Sequence, residues 1–409
     1  MRRLSDVVAA LLVLAGAPSA ARPAGAAGAD RAVVVVIDGL RYSESLGDPS
    51  GGFTPRMAAL CSLGTRVEPF LNDGDTWTKA AIPASWMGGW FGSRDTVLNG
   101  EPTQYALAPT FFEAYRKQLD RPATDCIYFI KWVSGLWRQS YDSEYGPAWW
   151  PYTHMAGGSD LDVWSGFQSV VPQYHPRFVY LYLAGVDEAG HSGAWSAYTA
   201  AVGIADGIVG DLWTWLQADT FYAGRTDVFV TNDHGRHDDG HGGFAGHGDG
   251  CPGCRTIMLL ALGPDFAAKR LCAGPHSLTD LAPTVGQVLD FSMPWATGRA
   301  LTDLFAPADS GALPEPPGPP LKLTLSPNPW SGRQHVGWVL PRAGEMSLEL
   351  IDIAGHVRRT LRTANARAGR GTLDWESRDD RGAALEPGIY FARLRQGAAA
   401  VTRCTVILR

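Results

Sequence analysis

"RAVVVVIDGLR", residues 31–41, decides the fold class. Four valines and an isoleucine follow one another with no polar residue to mark an exposed face, and the run stops at Asp38-Gly39. A strand buried on both sides reads this way, because helices cover both faces of a parallel sheet. "RFVYLYLAGVDEAGH" (177–191) and "RTDVFVTNDHG" (225–235) repeat the pattern of an apolar run followed by a polar, glycine-bearing turn. Between them, "AYTAAVGIADGIVGDLWTWLQA" (197–218) has the apolar spacing of a helix. The alternation implies an α/β domain, a mainly parallel sheet flanked by helices. Ligands of such sheets sit at the carboxyl ends of the strands. All three runs end there in acidic residues or histidines.

The chain of 409 residues has room for one large domain and a smaller one. A net charge of −6 gives no sign of a nucleic-acid or anionic-membrane partner. "MRR", the apolar run "VVAALLVLAGA" (7–17) and several A-x-A-like sites predict a signal peptide over residues 1–29. The apolar run is too short to span a bilayer, so an exported protein, periplasmic or at the cell surface, is expected. Export permits disulfides among the cysteines. "CPGC" (251–254) could be half of a zinc site, but with no second C-x-x-C a disulfide or free thiols are expected.

The composition changes at "PADSGALPEPPGPP" (307–320), read as a semi-rigid linker between a domain of residues 30–306 and a tail of 321–409. Met346, Leu348 and Leu350 alternate with polar neighbours before a turn at Ala354-Gly355, and residues 388–409 read as a hairpin turning near Gln396-Gly397. Short strands with regular turns predict a small all-β sandwich. "LSPNPWSG" (325–332), "LELIDIAGHVRRTL", "GTLDWESRDDRG" (371–382) and "PGIYFARL" (387–394) resemble the FlgD-like, immunoglobulin-type domain. That resemblance implies a tail for attachment, export or spacing.

The chemistry is concentrated in "TNDHGRHDDGHGGFAGHGDG" (231–250), which holds four of the ten histidines. Asp38 alone would pass for a turn residue. "DEAGH" places Asp187 and His191 four positions apart, a spacing that converges on one ion within a turn or short helix. Asp233-His234 is a second such pair, and His247 adds a further imidazole. Three aspartates and three histidines at the strand ends of one sheet form a ligand set for two divalent cations, most naturally zinc, with manganese or iron open. Two metals form a clamp for displacement at phosphorus. His237 and His241 sit in a polar, glycine-punctuated loop and are read as solvated or supporting groups, with His241 the rival of His247 for the late ligand position. For a nucleophile, "NDGDTWTKAAIPASWMGG" (72–89) offers Thr76, Thr78 and Ser85.

In this order the segments resemble the alkaline phosphatase superfamily, in particular its type I phosphodiesterase/nucleotide pyrophosphatase branch, over residues 32–305. "LTDLAPTVGQVLDFSMPWATGRAL" (278–301) is similar to the family's closing segment. The resemblance implies that Thr78 is the nucleophile, opening a helix with Gly88 ten residues on, although "MGGWFG" replaces the family's usual "TG". It implies that Asp38, Thr78, Asp233 and His234 hold one metal and Asp187, His191 and His247 the other. Asn99 would hold a phosphoryl oxygen, although Asn-Gly is also an ordinary turn signal. The implied substrate is a small phosphate monoester or diester. A sulfatase would need C-x-P-x-R near the first strands, which "CPGCR" (251–255) does not supply. A phosphoglycerate mutase would need a larger insert than residues 79–186. The alternatives to a phosphate-ester hydrolase are a sulfatase-type hydrolase of the same superfamily and a non-catalytic secreted binding or adhesion protein with a metal-stabilised fold.

Overall fold

A computed structural model describes residues 28–98, 100–131, 139–305, 321–341, 343–396 and 399–408. Most of the expected signal peptide, the linker of 307–320, Asn99 and Gly397 lie outside these residues. The chain divides into two compact units, ending and beginning at 313 and 314.

Strands of the first unit are β1 (Arg31–Ile37), β2 (Thr65–Leu71), β3 (Ser93–Leu98), β4 (Glu101–Ala106) and β5 (Cys126–Lys131), then β6 (Tyr152–Ala156), β7 (Phe178–Leu183), β8 (Thr226–Thr231), β9 (Thr256–Leu262) and β10 (Arg270–Ser277). Its helices are α1 (Pro55–Leu60), α2 (Thr78–Met87), α3 (Phe111–Gln118) and α4 (Asp160–Tyr174), then α5 (Gly185–His191), α6 (Trp195–Ala218), α7 (Pro252–Arg255) and α8 (Leu281–Leu289). Eight strands form one sheet in the order β10-β2-β9-β8-β1-β7-β5-β6, and β3 pairs with β4 as a separate ribbon.

The valine run behaves as its sequence predicts. All seven residues of β1 are buried, and the strand runs parallel to β7 on one side and β8 on the other. Pleating sends alternate side chains to opposite faces. Ala32, Val34 and Val36 join a core with Ile82, Trp86, Phe112 and Val285, from α2, α3 and α8. Val33, Val35 and Ile37 join a second core with Met57, Phe167, Val202 and Leu212, from α1, α4 and α6. Each fully buried valine or isoleucine stabilises this arrangement by about 1.5–3 kcal/mol before chain entropy is counted. Only β9 departs from the parallel expectation, running antiparallel to both β2 and β8.

The second unit is all-β. One sheet contains β11 (Lys322–Ser326), β12 (Arg333–Leu340) and β15 (Gly369–Glu376); the other contains β13 (Gly344–Asp352), β14 (Val357–Ala366), β16 (Gly388–Gln396) and β17 (Ala399–Ile407). Met346, Leu348 and Leu350 point into its core beside Trp330, Trp375 and Leu394, as their period of two requires.

Candidate active site

Three adjacent strand ends build the site. Asp38 prolongs β1 by one residue, its N–H donating to Leu183 O (2.9 Å). Gly39 follows with φ +65°, and a Cβ there would lie 2.5 Å from Asp187 Oδ1, so the Asp-Gly pair is required by close approach as well as by the turn. After β7 the chain enters α5 at once, and one helical turn brings Asp187 Oδ2 to 3.1 Å from His191 Nε2. After β8, Asn232 pins the backbone. Its Nδ2 donates to Leu40 O and His234 O (both 2.9 Å), and its Oδ1 accepts from Met258 N–H (2.8 Å). Asp233 and His234 are thereby held fully buried. Gly235 does not supply a left-handed turn. Its need is space, since a Cβ there would lie 2.0 Å from Gly253 O.

The side chains converge in two overlapping groups. Ligand-type atoms of Asp38, Asp233 and His234 lie within 4.8 Å of one another, and so do those of Asp187, His234 and His247. His191 completes the second group, its Nε2 facing His247 Nε2 at 3.0 Å. The rings of His234 and His247 stack at 4.0 Å. Thr78 is the first residue of α2, and Gly88 caps that helix in the left-handed region. Its Oγ1 lies 3.0 Å from His234 Nε2 and 3.4 Å from Asp38 Oδ1. Neither rival hydroxyl shares this position. Thr76 is buried and contributes its carbonyl, which accepts from His247 Nδ1 (2.9 Å), while Ser85 Oγ donates to Ile82 O inside the helix (2.7 Å). His241 stands apart from the group, leaning on Asp238 at 2.7 Å.

The electrostatics call for a cation. Burial, then the charges of Asp233 and Asp187, push the Asp38 carboxyl well above its ordinary value. Burial and Asp187 push Asp233 up to about 7, and Asp233 Oδ2 has no hydrogen-bond partner. For Asp187, burial is outweighed by His234, Arg236, His247 and His191, which hold it below the usual carboxylate range. Burial and the charge of His234 push His247 down to about 4, leaving its imidazole neutral, the form that binds metal. Opposed buried carboxylates, an orphaned oxygen and neutral imidazoles fit divalent cations with mixed oxygen and nitrogen donors.

A pH prediction follows from Asp233. Its folded-state pKa is raised, so the metal-free native chain holds a proton there that the unfolded chain releases near about 3.9. The stabilisation is complete below that value and is lost as pH rises to about 7. In chelated protein, Asp233→Asn should gain Tm relative to the unsubstituted chain across this window. A pH-independent Tm difference would contradict the assignment.

Sequence reading missed two supporting side chains. The Tyr182 hydroxyl donates to Asp38 Oδ2, and because all of β7 is buried nothing local marked it. The Arg236 guanidinium, fully buried, donates to Asp187 Oδ1 and to the carbonyls of Phe244 and Ala245. An arginine directly after Asp-His-Gly could have marked it.

Residues 78–238 match the family model for type I phosphodiesterase/nucleotide pyrophosphatase. No curated protein matches the sequence. A Bacteroides thetaiotaomicron protein assigned as a sulfatase is similar in structure, with 12% identity, 84% of this chain and 85% of that chain covered, and a TM-score of 0.54. A 2-O GAG sulfatase covers 85% of each chain at 11% identity and a TM-score of 0.51. Mouse ectonucleotide pyrophosphatase/phosphodiesterase 5 covers 68% of this chain and 100% of that one, at 14% identity and a TM-score of 0.47. The family match lies within the first unit, and the fold of that unit is similar to that of the two sulfatase structures.

Proposed function

We propose that the protein is an exported, metal-dependent hydrolase of phosphate esters that uses Thr78 as its nucleophile. The observation that carries this reading is the position of Thr78 Oγ1, at the N-terminus of α2 and 3.0 Å from His234 Nε2, beside Asp38. Asp38, Thr78, Asp233 and His234 would hold one divalent ion, and Asp187, His191 and His247 a second, zinc being the metal that suits these donors best. Bound there, two such ions would lower the pKa of the Thr78 hydroxyl and neutralise charge developing on the phosphoryl oxygens.

The chain's own groups account for the rest. Thr78 Oγ attacks phosphorus in line, forming the O–P bond as the ester oxygen leaves with its electron pair, and the threonine proton passes to solvent or to the leaving oxygen. Water then cleaves the threonyl-phosphate, releasing the phosphate product and restoring the hydroxyl. Backbone N–H groups in the first turn of α2 face the anion, as helix N-termini do. Tyr182 and Arg236 hold Asp38 and Asp187 in place. No transfer through a Ser-His-Asp arrangement is required.

The test is turnover of p-nitrophenyl phosphate, bis-p-nitrophenyl phosphate and a nucleotide ester with added zinc, with p-nitrophenyl sulfate alongside because the structural neighbours include sulfatases. Phosphate-ester cleavage with about two ions per chain, abolished by chelation, is expected. Full activity in chelator, or cleavage of the sulfate alone, would refute the reading. The second unit has its own apolar core, so a chain ending near residue 306 should keep kcat/KM within a few-fold. Loss of turnover from a well-folded shortened chain would show that the tail contributes to the site. The export proposal rests on residues 1–29, and the FlgD-like reading of the tail suggests a role in attachment or export. No described helix is long and apolar enough to cross a membrane.

A further inference from the structure

The loop between β8 and β9 carries four donors that the active site does not use. His237 and His241 are spaced H-x3-H, and Cys251 and Cys254 are spaced C-x2-C. Both spacings are those of structural zinc sites. The fold brings the two halves together. Gly235 N–H donates to Cys254 O, and His237 N–H to Gly246 O, both at 2.8 Å, so the loop doubles back on itself.

Within it, ligand-type atoms of His237, Asp249 and Cys254 lie within 4.8 Å of one another, as do those of Asp238, His241 and Cys251. The two groups adjoin, because Cys251 caps the short helix α7 and Cys254 lies within it. Both cysteines are buried and neither is in a disulfide. His237 Nε2 is a buried atom with no hydrogen-bond partner, 3.3 Å from Asp249 Oδ1. His241 meets Asp238 through Nδ1 at 2.7 Å, which leaves Nε2 as its free donor. A carboxylate backing a ligand imidazole in this way is the usual support of a zinc-bound histidine.

We propose that His237, His241, Cys251 and Cys254 bind one zinc ion in a structural site separate from the catalytic group. Half-exposed His241 lies beside Gly242 and Gly243, both with positive φ, on an open turn that lets it swing toward the thiols. Two thiolates and two imidazoles select zinc over harder cations. The site has a consequence for the active centre. His247 lies between the two halves, so an ion joining them would clamp the loop at both ends and aim that imidazole at Asp187 and His191.

Cobalt substitution tests this in the full chain, because the catalytic group contains no sulfur and cannot give a thiolate signal. Cobalt-loaded protein should show thiolate-to-cobalt charge-transfer absorption in the near ultraviolet, one equivalent per chain. The band should persist in an Asp38→Asn/Asp233→Asn variant and vanish in Cys251→Ser/Cys254→Ser. Zinc should also shield two of the six cysteines from a thiol reagent, a measurement on the unsubstituted chain that decides the matter if the serine variant does not fold. A folded, cobalt-loaded protein without the band would overturn the site. So would a Cys251–Cys254 disulfide in the exported protein, or thiols equally reactive with and without zinc.

Discussion

Thr78→Ala should lower kcat by at least about 10⁴-fold, the scale on which removal of a covalent nucleophile acts, while leaving the metal content of the active site unchanged. Thr78 reaches the site through its hydroxyl, at 3.0 Å from His234 and 3.4 Å from Asp38. Asp38, Asp233 and His234 remain to hold an ion without it, since their positions come from β1, β8 and the bonds of Asn232 rather than from α2. Removing one methyl and one hydroxyl from a partly exposed first helical residue costs little stability, so the folded variant can be assayed directly. Turnover in Thr78→Ala combined with a dead Thr76→Ala would move the nucleophile two residues upstream. Thr76 is buried with an unpartnered hydroxyl and spends its carbonyl on His247, and this geometry argues against that outcome. Rapid quench of the unsubstituted enzyme should trap phosphate on Thr78.

His247→Ala should lose one catalytic ion and more than about 100-fold in turnover, since even changes behind a ligand cost 10–100-fold in affinity or activity. Its Nε2 lies 3.0 Å from His191 and 3.5 Å from Asp187, and its ring stacks on His234. Nδ1 is anchored on Thr76 O at 2.9 Å, which leaves Nε2 to face the site. The loss should appear as a metal deficit by elemental analysis and as partial recovery at raised zinc concentration. A variant with unchanged metal content and near-normal kcat would remove His247 from the site, whatever its distance to His191.

Much of this site was legible because strand ends are legible. A run such as Val33–Ile37 has no polar residue to place on an exposed face, so it must lie in the middle of a covered sheet, and the residue after it must lie at the sheet's rim. That rule places Asp38 at the rim, and Asp187 and Asp233 within a few residues of it; the histidines beside them made the group read as a ligand set. The i,i+4 spacing of Asp187 and His191 was a further local signal, since one turn of α5 makes them neighbours. Tyr182 was hidden for the opposite reason. Every residue of β7 is buried, and nothing local distinguishes a tyrosine packed in a core from one whose hydroxyl meets an aspartate across the sheet. Arg236 was hidden because its partner, Asp187, belongs to another strand end 49 positions away.

The sequence alone determined that an α/β sheet carries its acids and histidines at one rim, and that an all-β unit follows. Those conclusions depend on periodicity and on what ends a strand, which are properties of neighbours along the chain. The tertiary structure decided between His247 and its rival His241 for the place beside Asp187 and His191. His237, His241 and His247 are similar in local context, and their fates differ because the loop folds back through Gly235 and Gly246. That fold turns His247 toward Asp187 and leaves His237 and His241 beside the two cysteines. The antiparallel insertion of β9 was likewise decided in three dimensions, because its apolar run is equally buried in either direction and direction is set by the loop that delivers it.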